Sequence, residues 1–226
     1  MKKHSKRYRE AFAKVDREQT YPIDEGVKLL KQFKQAGFDE TVEVDMNLGI
    51  DTKQSDQQVR GSISLPNGIG KSVRAIVFAE GDVAEQAVAA GAMEAGGDDL
   101  VEKVNGGWTD FDVVIAHRSM MPKVGRLGRV LGPRGLMPSP KTGTVTDDVV
   151  GVLKEYLAGK VEFRADEGGN LHAPVGKMSF EQQSLVENVR AFCNHIKGMK
   201  PPASKGIFMK NVVLSSTMGP GIKLSL

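Results

Sequence analysis

Residues 65 to 71 read L-P-N-G-I-G-K, and the hydrophobic pattern of the chain changes across this turn-rich stretch. Before it, residues 41 to 48 (T-V-E-V-D-M-N-L) alternate apolar and polar side chains, which predicts a half-buried strand, and a second strand is predicted at 59–65. After it, strands and helices alternate, at 73–79, 83–92, 99–104 and 111–116. This alternation indicates an α/β unit with a parallel sheet.

The pattern changes back near residue 160. A helix predicted at 148–157 ends at Ala158-Gly159, and strand patterns return in V-E-F-R-A and N-L-H-A-P-V. Ser179 and Gln182 have the spacing of a capping box, which predicts the start of a helix with an apolar stripe. A long carboxyl-terminal strand follows and is interrupted at Gly219-Pro220-Gly221.

Both ends of the chain therefore have an α+β pattern, with amino-terminal helices at 5–16 and 24–34, while the middle has an α/β pattern. This arrangement predicts two domains, of which the second is inserted into the first. Domain I is expected to comprise residues 1–67 and 160–226, and domain II residues 68–159. Gly68 and Gly159 stand at the two crossings and are candidate hinge residues.

The charges are segregated along the chain, although the formal net charge is only +3. No acidic residue lies between Val113 and Thr146, and none follows Glu187. Basic residues form three blocks, from Lys2 and Lys3 to Lys14, from Arg118 to Lys141, and from Arg190 to Lys223. Because Lys and Arg replace the counterions condensed on phosphates, this pattern indicates a polyanion partner. The alternative is that the blocks serve solubility alone.

The scattered histidines and the single cysteine predict neither a metal site nor a cofactor. His4, His117, His172 and His195 lack the spacing of metal ligands, and Cys193 stands among apolar residues, where a buried and unreactive thiol is expected. The first residues have no apolar leader, and no apolar run reaches the roughly 18 residues of a membrane span. We expect a soluble protein of the cytoplasm that does not bind membranes.

Two stretches resemble the phosphate-binding loop of nucleotide hydrolases, G-x-x-x-x-G-K-[ST], without matching it. In G-L-M-P-S-P-K-T (residues 135 to 142), Pro140 replaces the glycine before the lysine, and proline has no N–H for a phosphate. In L-P-N-G-I-G-K-S (residues 65 to 72), Leu65 replaces the first glycine and a strand follows where a helix is required. We therefore expect no enzymatic activity.

An RNA-binding surface is the remaining prediction from chemistry. Residues 215 to 220 (S-S-T-M-G-P) offer hydroxyl groups, one flexible apolar side chain and a residue without a Cβ, which suits close approach to ribose 2′-hydroxyls and base edges. The chain lacks the aromatic pattern of common RNA-binding modules and a zinc knuckle. A bulged strand end without a ligand is the alternative.

Four motifs together resemble the bacterial large-subunit ribosomal protein L-one family. They are F-D-E-T-V-E-V (38–44), G-R-x-L-G-P-R-G-L-M-P-S-P-K-x-G-T-V (128–145), V-E-F-R-A-D-x-x-G-N-L-H-A-P-V-G-K (161–177) and S-T-M-G-P (216–220). Ala165 stands where the family often has asparagine. The resemblance covers essentially the whole chain. It implies that domain I is a split β-α-β two-layer sandwich built from both termini and domain II an inserted, Rossmann-like three-layer α/β unit.

The resemblance also implies a function. Such a protein would bind large-subunit rRNA at the mobile stalk, assist release of deacylated tRNA from the exit site, and repress its own operon by binding its mRNA. It would be a monomer when free. The main RNA surface would comprise Phe38, Thr41, Arg164, Asp166, His172, Lys177, Thr217, Met218 and Gly219. Gly219 would let the RNA approach the backbone. Accessory contacts to RNA would come from Arg126, Arg129, Arg134 and Lys141. A non-specific RNA-binding protein and a nucleotide hydrolase are the alternatives.

Overall fold

The computed structural model describes residues 4–54 and 56–225. Lys2 and Lys3 of the amino-terminal basic block lie outside these residues. The described chain forms two compact units. Unit 1 combines both ends of the chain, within Met1–Gly70 and Val161–Leu226, and unit 2 is the intervening segment Lys71–Lys160.

Strands and helices are numbered along the chain. The strands are β1 (Tyr21–Pro22), β2 (Thr41–Leu48), β3 (Arg60–Ser64), β4 (Ala75–Phe78), β5 (Glu94–Gly96), β6 (Val113–His117), β7 (Val145–Thr146), β8 (Lys160–Arg164), β9 (Asn170–Lys177), β10 (Met209–Ser216) and β11 (Ile222–Ser225). The helices are α1 (Lys6–Phe12), α2 (Ile23–Lys31), α3 (Asp82–Ala89), α4 (Asp98–Asn105), α5 (Met121–Val124), α6 (Gly128–Leu131), α7 (Val149–Leu157) and α8 (Gln182–Gly198). Short 3-10 turns lie at Arg118–Met120, Gly125–Leu127 and Pro140–Thr142.

Unit 1 is a two-layer structure. Its main sheet has the order β1-β11-β10-β2-β9, with antiparallel pairs except β1 and β11, and β3 pairs with β8 separately. The even-numbered residues of β2, from Val42 to Leu48, are buried beneath α2 and α8, while the odd-numbered ones are partly exposed. The strict alternation therefore gives the sheet one apolar face for the helices and one polar face.

Helix α8 begins differently from the sequence prediction. The residue before its first turn is Glu181, and no side chain caps the helix. The predicted capping box of Ser179 and Gln182 is therefore wrong. Ser179 instead donates a backbone and a side-chain hydrogen bond to Asp39, at 3.0 and 2.7 Å. The Ser179 hydroxyl, which the sequence spacing assigned to the cap of α8, thus donates to the carboxylate of Asp39 instead.

Unit 2 is a three-layer structure around a parallel sheet. The strand order is β5-β4-β6-β7, and all pairs are parallel. On one face, Ile76, Phe78 and Val114 pack with residues of α4, α5 and α6, and on the other Val77 and Ile115 pack with residues of α3 and α7. The four residues of β4 are all buried, as expected for a strand covered on both faces.

The predicted fold class is confirmed, because the chain is a mixed α/β protein with a two-layer and a three-layer part. Three features of unit 2 were not predicted, of which the first is the short strand β7. Strand β5 lies in an A-M-E-A-G-G stretch without a strand pattern, and the Gly/Pro-rich basic segment contains the short helices α5 and α6. Cys193 is 3 % exposed, and burial raises the pKa of its thiol to about 12, so the prediction of a buried, unreactive thiol is confirmed.

Asp112 joins the amino-terminal ends of β4 and β6. Its carboxylate accepts hydrogen bonds from Lys71 Nζ (2.9 Å), Arg74 Nε (3.1 Å) and the Arg74 backbone N–H (3.2 Å). Partial burial alone would raise the pKa of Asp112, but these bonds outweigh it and lower the pKa to about 2. A lowered pKa stabilises the folded state above the ordinary value of 3.8, and the contribution disappears as the pH falls toward about 2.

We predict that Asp112→Asn lowers the free energy of unfolding of unit 2 by about 1–2 kcal/mol at pH 7, a figure reduced for solvent screening. The difference between variant and wild type should shrink as the pH falls below 3.8. Trp108, the single tryptophan, lies in unit 2 and reports its unfolding in urea. Asp110→Asn is the control, since Asp110 is exposed. Equal stability of the two variants at pH 7 would contradict the prediction.

Candidate nucleic-acid interface

Three of the predicted RNA-binding residues meet at one end of the main sheet of unit 1. Thr41 at the start of β2 pairs with Lys177 at the end of β9, and Thr217 directly follows β10 on the other side. Lys177 Nζ donates to Thr41 Oγ1 at 2.8 Å. The Thr41 backbone N–H donates to Thr217 Oγ1, and the Thr217 N–H to the Thr41 carbonyl, both at 3.0 Å. These bonds fix hydroxyl and ammonium groups on one polar surface.

Two exposed apolar side chains belong to the same end of the sheet. Phe38 precedes β2 and is 53 % exposed, and Met218 follows Thr217 and is 50 % exposed. We call the set Phe38, Thr41, Lys177, Thr217 and Met218 the sheet-end surface. Exposed apolar groups at the same strand ends as a fixed ammonium group and hydroxyls suit a partner with both planar apolar and anionic parts.

A buried carboxylate, Glu40, binds the chain segments that carry the sheet-end surface. Glu40 is 3 % exposed, and its Oε2 accepts hydrogen bonds from Ser216 Oγ (2.8 Å) and the Met218 backbone N–H (3.1 Å). Its Oε1 accepts from the Ala36 N–H at 2.8 Å and lies 3.7 Å from Arg7 Nη1. Glu40 therefore connects the segment before β2, helix α1 and the turn after β10.

The protonation state of Glu40 follows from these contacts. Burial by itself would raise the pKa of the carboxyl. Hydrogen bonds from Ser216, Ala36 and Met218, with the charge of Arg7, outweigh burial and hold the pKa of Glu40 below its ordinary value. The group is thus an anion at neutral pH that only accepts hydrogen bonds, as its three donors require.

Gly219 has an internal reason for being glycine in addition to the one that the sequence predicted. A Cβ built there would lie 2.5 Å from Ser216 Oγ and 3.6 Å from Phe33 Cδ2, both inside the protein. The Gly219 N–H donates to the Ser216 carbonyl at 3.0 Å, which closes the turn after β10. The missing Cβ leaves room for the Ser216 hydroxyl that binds Glu40. The approach of RNA to the Gly219 backbone stays a prediction.

The other three predicted residues lie farther along the unit. His172 pairs with Asp45, four residues along β2 from Thr41, which is roughly 13 Å away at the rise of a strand. Its Nδ1 lies 2.6 Å from Asp45 Oδ1, on the polar face. Asp166 accepts hydrogen bonds from the Asn170 backbone and side chain, which lower its pKa. Its carboxylate is thereby engaged in shaping the turn between β8 and β9.

Arg164 lies beside an arginine that sequence reasoning did not select. Arg60 at the start of β3 and Arg164 at the end of β8 line an open groove of about 400 Å³. Its lining also includes the polar residues Thr52 and Gln58 and the acidic residues Asp166 and Glu167. Within the described part of the chain, neither guanidinium lies within ion-pair distance of a carboxylate. The signal for Arg60 was weak, since one arginine in a strand pattern does not show which strand it will pair with.

The accessory basic residues lie on the surface of unit 2. Arg126, Arg129, Arg134 and Lys141 are exposed, and none of them pairs with a carboxylate among the residues the structure describes. Arg126 and Arg129 lie three residues apart on consecutive short helices, and Arg134 donates to Thr109 Oγ1. Their charges therefore face solvent.

The loop at 135–144 uses its own backbone donors. The N–H groups of Ser139, Lys141 and Thr142 donate to Thr144 Oγ1, Ser139 Oγ and the Ser139 carbonyl, and those of Gly143 and Thr144 donate to Pro140 and Ser139. A phosphate-binding loop needs such groups free. Pro140 opens a 3-10 turn here, as expected for a residue without a donor. The nucleotide-binding alternative thus finds no backbone site in this loop.

The two predicted hinge glycines both adopt positive φ. Gly68 has φ 62° and Gly159 has φ 106°, a region that disfavours other residues. Asn188, which is fully buried, donates from Nδ2 to the Gly68 carbonyl at 2.9 Å and accepts from the Asn67 N–H at 3.1 Å. The turn at Gly68 is thereby fixed to unit 1. A hinge at either glycine stays a prediction.

Residues 4–54 and 56–225 contain no group of three or more His, Cys, Asp or Glu side chains arranged to hold a metal ion. They also contain no helix of the length and hydropathy required to cross a membrane.

Besides Arg60, two residues that hold the sheet-end surface in place, Glu40 and Ser216, were not among the predicted site residues. Both stand inside quoted motifs, F-D-E-T and S-T-M-G-P, next to residues that were selected. The sequence signal for Glu40 was its position. It directly precedes the alternating pattern of β2, which does not itself require a carboxylate there. Nothing in the sequence shows that its partners are 176 and 178 residues away.

Comparison with known proteins agrees with the resemblance. Residues 30–220 match the ribosomal protein L1p/L10e family. Over 224 residues, 99 % of this chain and 97 % of each relative, the chain is 56 % identical to large ribosomal subunit protein uL1 of Lactobacillus delbrueckii subsp. bulgaricus, 55 % to that of Lactobacillus acidophilus and 54 % to that of Kosmotoga olearia. The chain therefore belongs to the ribosomal protein L1p/L10e family, and it is a protein of the cytoplasmic ribosome and not an enzyme.

Proposed function

We propose that this protein is a constituent of the large ribosomal subunit and binds large-subunit rRNA of the mobile stalk through the sheet-end surface. The observation that carries the proposal is the convergence of Thr41, Lys177, Thr217 and Met218 at one end of the polar sheet face, above the buried Glu40. The names of the relatives support the ribosomal part. The chemistry of the surface supports the RNA part.

Each group of the sheet-end surface retains a capacity for RNA. Lys177 spends one of its three donors on Thr41, so two remain for phosphate oxygens. Thr217 Oγ1 is fixed by the Thr41 backbone and can still accept from a ribose 2′-hydroxyl. Phe38 and Met218 offer apolar contact to a base or sugar. Arg164 and Arg60 would bind phosphates farther along the same unit, and His172 a ribose or phosphate between the two.

The same surface would carry the regulatory role. We propose that the protein represses translation of its own operon because the mRNA presents a fold similar to that of the stalk rRNA. The two RNAs would then compete for the sheet-end surface, and a variant that loses one should lose the other. Assistance in releasing deacylated tRNA from the exit site would follow from the position of the stalk. The free protein would be a monomer.

Unit 2 would provide accessory contacts. Domain boundaries at residues 67/68 and 159/160, with hinges at Gly68 and Gly159, would let domain II reach stalk rRNA or tRNA while domain I stays bound. Arg126, Arg129, Arg134 and Lys141 have no described carboxylate partner and would meet phosphates there. This part of the proposal rests on charge and exposure.

Charge reversal tests the accessory contacts. We expect Arg134→Glu with Lys141→Glu to leave the affinity for an isolated stalk rRNA fragment within about twofold and to slow the release of exit-site tRNA from ribosomes, because phosphates repel the new carboxylates. Release is measured with labelled tRNA in a translocation assay. The control pair is Lys205→Glu with Lys210→Glu, in unit 1. If ribosomes with Arg134→Glu and Lys141→Glu release tRNA normally, the loop at 135–144 only connects structural elements and does not bind RNA.

Salt dependence tests the nature of the main contact. Each phosphate contact contributes a slope of roughly 0.7 to 0.9 in log K against log salt concentration. We expect a slope of about 2 to 4, with strong binding remaining at high salt, because hydroxyl and apolar contacts supply the rest. A fluorescence titration from low to high salt measures this. Collapse of the affinity, and equal affinity for unrelated duplexes, would favour the alternative of a non-specific RNA-binding protein.

Footprinting on isolated large-subunit rRNA tests the proposal as a whole. The wild type should protect one compact region of the stalk, and Thr217→Val with Met218→Ala should abolish this protection at the same protein concentration. Both changes lie in the turn after β10, where the side chains are exposed or partly exposed. Protection that is absent in the wild type, or spread evenly along the rRNA, would refute stalk binding.

A further inference from the structure

An aromatic stack runs along the first helix. Tyr8 and Phe12 are four residues apart in α1, which places their rings on one side of the helix, and the ring of His4, just before the helix, stacks on Tyr8. The ring centroids of His4 and Tyr8 are 4.5 Å apart and those of Tyr8 and Phe12 are 5.9 Å apart, with interplanar angles of 23° and 24°. The guanidinium of Arg17 lies over the Phe12 ring, 5.1 Å from its centroid. We call these three rings, with Arg9 and Arg17, the α1 aromatic face.

The α1 aromatic face is open and cationic. Phe12 is 37 % exposed, and an open groove of about 320 Å³ is lined by His4, Tyr8, Arg9, Phe12, Ala13 and Arg17. Neither Arg9 nor Arg17 forms an ion pair with a carboxylate in the described chain. Three stacked rings between two unpaired guanidinium groups have no role in the core of unit 1, where only Ala11 of this helix is buried.

The face borders the sheet-end surface. Arg7 of the same helix lies 3.7 Å from Glu40, the carboxylate that holds the turn after β10. Tyr8 and Arg7 also line a small cavity together with Met218 and Gly219. A ligand that binds the sheet-end surface can therefore also contact residues of α1.

The chemistry of the face selects one class of ligand. Stacked aromatic rings bind the planar faces of nucleobases, and neighbouring arginines neutralise the phosphates on either side. The face presents ring planes and guanidinium groups but, apart from Ala13, no aliphatic side chain, which argues against an apolar protein partner. Bases inside a duplex have no free planar face, so the ligand must be an unpaired base.

We propose that the α1 aromatic face binds an unpaired base of the same RNA that occupies the sheet-end surface. The base stacks on Phe12 at the end of the ring row, in the place that the Arg17 guanidinium takes in the free protein. Arg17 then moves to a flanking phosphate, and Arg9 binds another. The inference rests on the proposed RNA-binding function and specifies a second feature of its ligand: the bound rRNA carries an unstacked nucleotide next to the segment that contacts Met218.

Three substitutions at Phe12 separate stacking from packing. Phe12→Leu keeps an apolar side chain without a ring plane, whereas Phe12→Trp and Phe12→Tyr keep the plane. We expect Phe12→Leu to weaken binding of the full-length protein to a stalk rRNA fragment about tenfold, and Phe12→Trp and Phe12→Tyr to stay within about twofold of wild type. Equal affinity of wild type and Phe12→Leu overturns the inference. A loss in all three variants overturns it as well, because the aromatic plane would then not be the determinant.

Salt titrations and a labelled base complete the test. Phe12→Leu should leave the slope of log K against log salt unchanged, whereas Arg9→Ala should reduce it by about one. A 2-aminopurine placed in turn at each unpaired nucleotide of the footprinted stalk rRNA region should at one position lose fluorescence on binding wild type but not Phe12→Leu. Unchanged fluorescence with both proteins overturns the inference, as does a Phe12→Leu defect confined to assembly with ribosomal proteins. Thiol protection of Cys193 verifies that unit 1 remains folded in each variant.

Different variants test the proposed function and the α1 aromatic face. If Thr217→Val with Met218→Ala abolishes binding and Phe12→Leu does not affect it, the sheet-end surface stands and the α1 aromatic face is not part of the site. If the wild type does not bind the stalk fragment at all, both the proposed function and the inference fail.

Discussion

Replacing Glu40 with glutamine is expected to weaken binding to stalk rRNA about ten- to hundredfold and to lower the free energy of unfolding of unit 1 by about 1–3 kcal/mol at pH 7. Glutamine has nearly the same shape, but one of its two terminal atoms is a donor. Since Ser216, Met218 and Ala36 all donate to Glu40, at least one buried donor would then face another donor. The turn that positions Thr217 and Met218 would lose its support.

The pH dependence gives an independent check of the Glu40 prediction. The pKa of Glu40 is held below its ordinary value of 4.5. Its stabilising contribution is therefore fully present above pH 4.5 and is lost as the pH falls through the folded pKa. The stability difference between wild type and Glu40→Gln should therefore shrink on acidification. Thiol reactivity of Cys193 in increasing urea measures unfolding of unit 1, because this single cysteine is buried there.

Glu43→Gln is the matched control for charge. Glu43 lies on the same strand, β2, but on its polar face, where it is only partly buried. We expect this variant to stay within about 0.5 kcal/mol of wild type, as is usual for exposed substitutions. If Glu40→Gln were as stable as Glu43→Gln and bound RNA as tightly as wild type, the supporting role of Glu40 would be wrong.

Replacing Gly219 with valine is expected to weaken binding to stalk rRNA by a similar ten- to hundredfold, for an internal reason. Its Cβ would lie 2.5 Å from Ser216 Oγ, and the branched γ-carbons add further bulk. Ser216 would be pushed away from Glu40, and the turn carrying Met218 would move with it. Gly198→Ala is the control, since a Cβ at Gly198 meets no atom within 4 Å. Affinity is measured by fluorescence titration at fixed salt.

A double-mutant cycle distinguishes this internal clash from a direct clash with RNA. Ser216→Ala removes the hydroxyl that a Gly219 Cβ would meet, although it deprives Glu40 of a donor. If the clash is internal, Gly219→Ala should cost less stability in the Ser216→Ala background than in wild type, giving a measurable coupling energy. Additive stability effects with a loss of RNA affinity confined to Gly219→Ala would show that the glycine serves the RNA contact directly.

The sequence by itself determined the strands and helices that have a clear hydrophobic period. The strict alternation of β2 predicted which side chains face the helices, because a strand has a period of two. The buried strands β4 and β6 of unit 2 were predicted from apolar runs next to helical segments. Local spacing failed at Ser179, where a capping box was expected, because Asp39 competes successfully for the hydroxyl. Strand β5 escaped because its pairing with β4, and not its composition, makes it a strand.

The candidate site divides in the same way. The chemical types of its residues, and the motifs that contain them, were visible in the chain, and so were the basic blocks. The tertiary structure alone decided that Thr41, Lys177 and Thr217 touch, that Arg164 stands beside Arg60, and that Asp166 turns its carboxylate to Asn170. It also showed that a Cβ at Gly219 would clash with Ser216, and that Glu40 binds the turn after β10. Periodicity is a local property, whereas a buried carboxylate is defined by donors that only folding brings to it from 176 and 178 residues away.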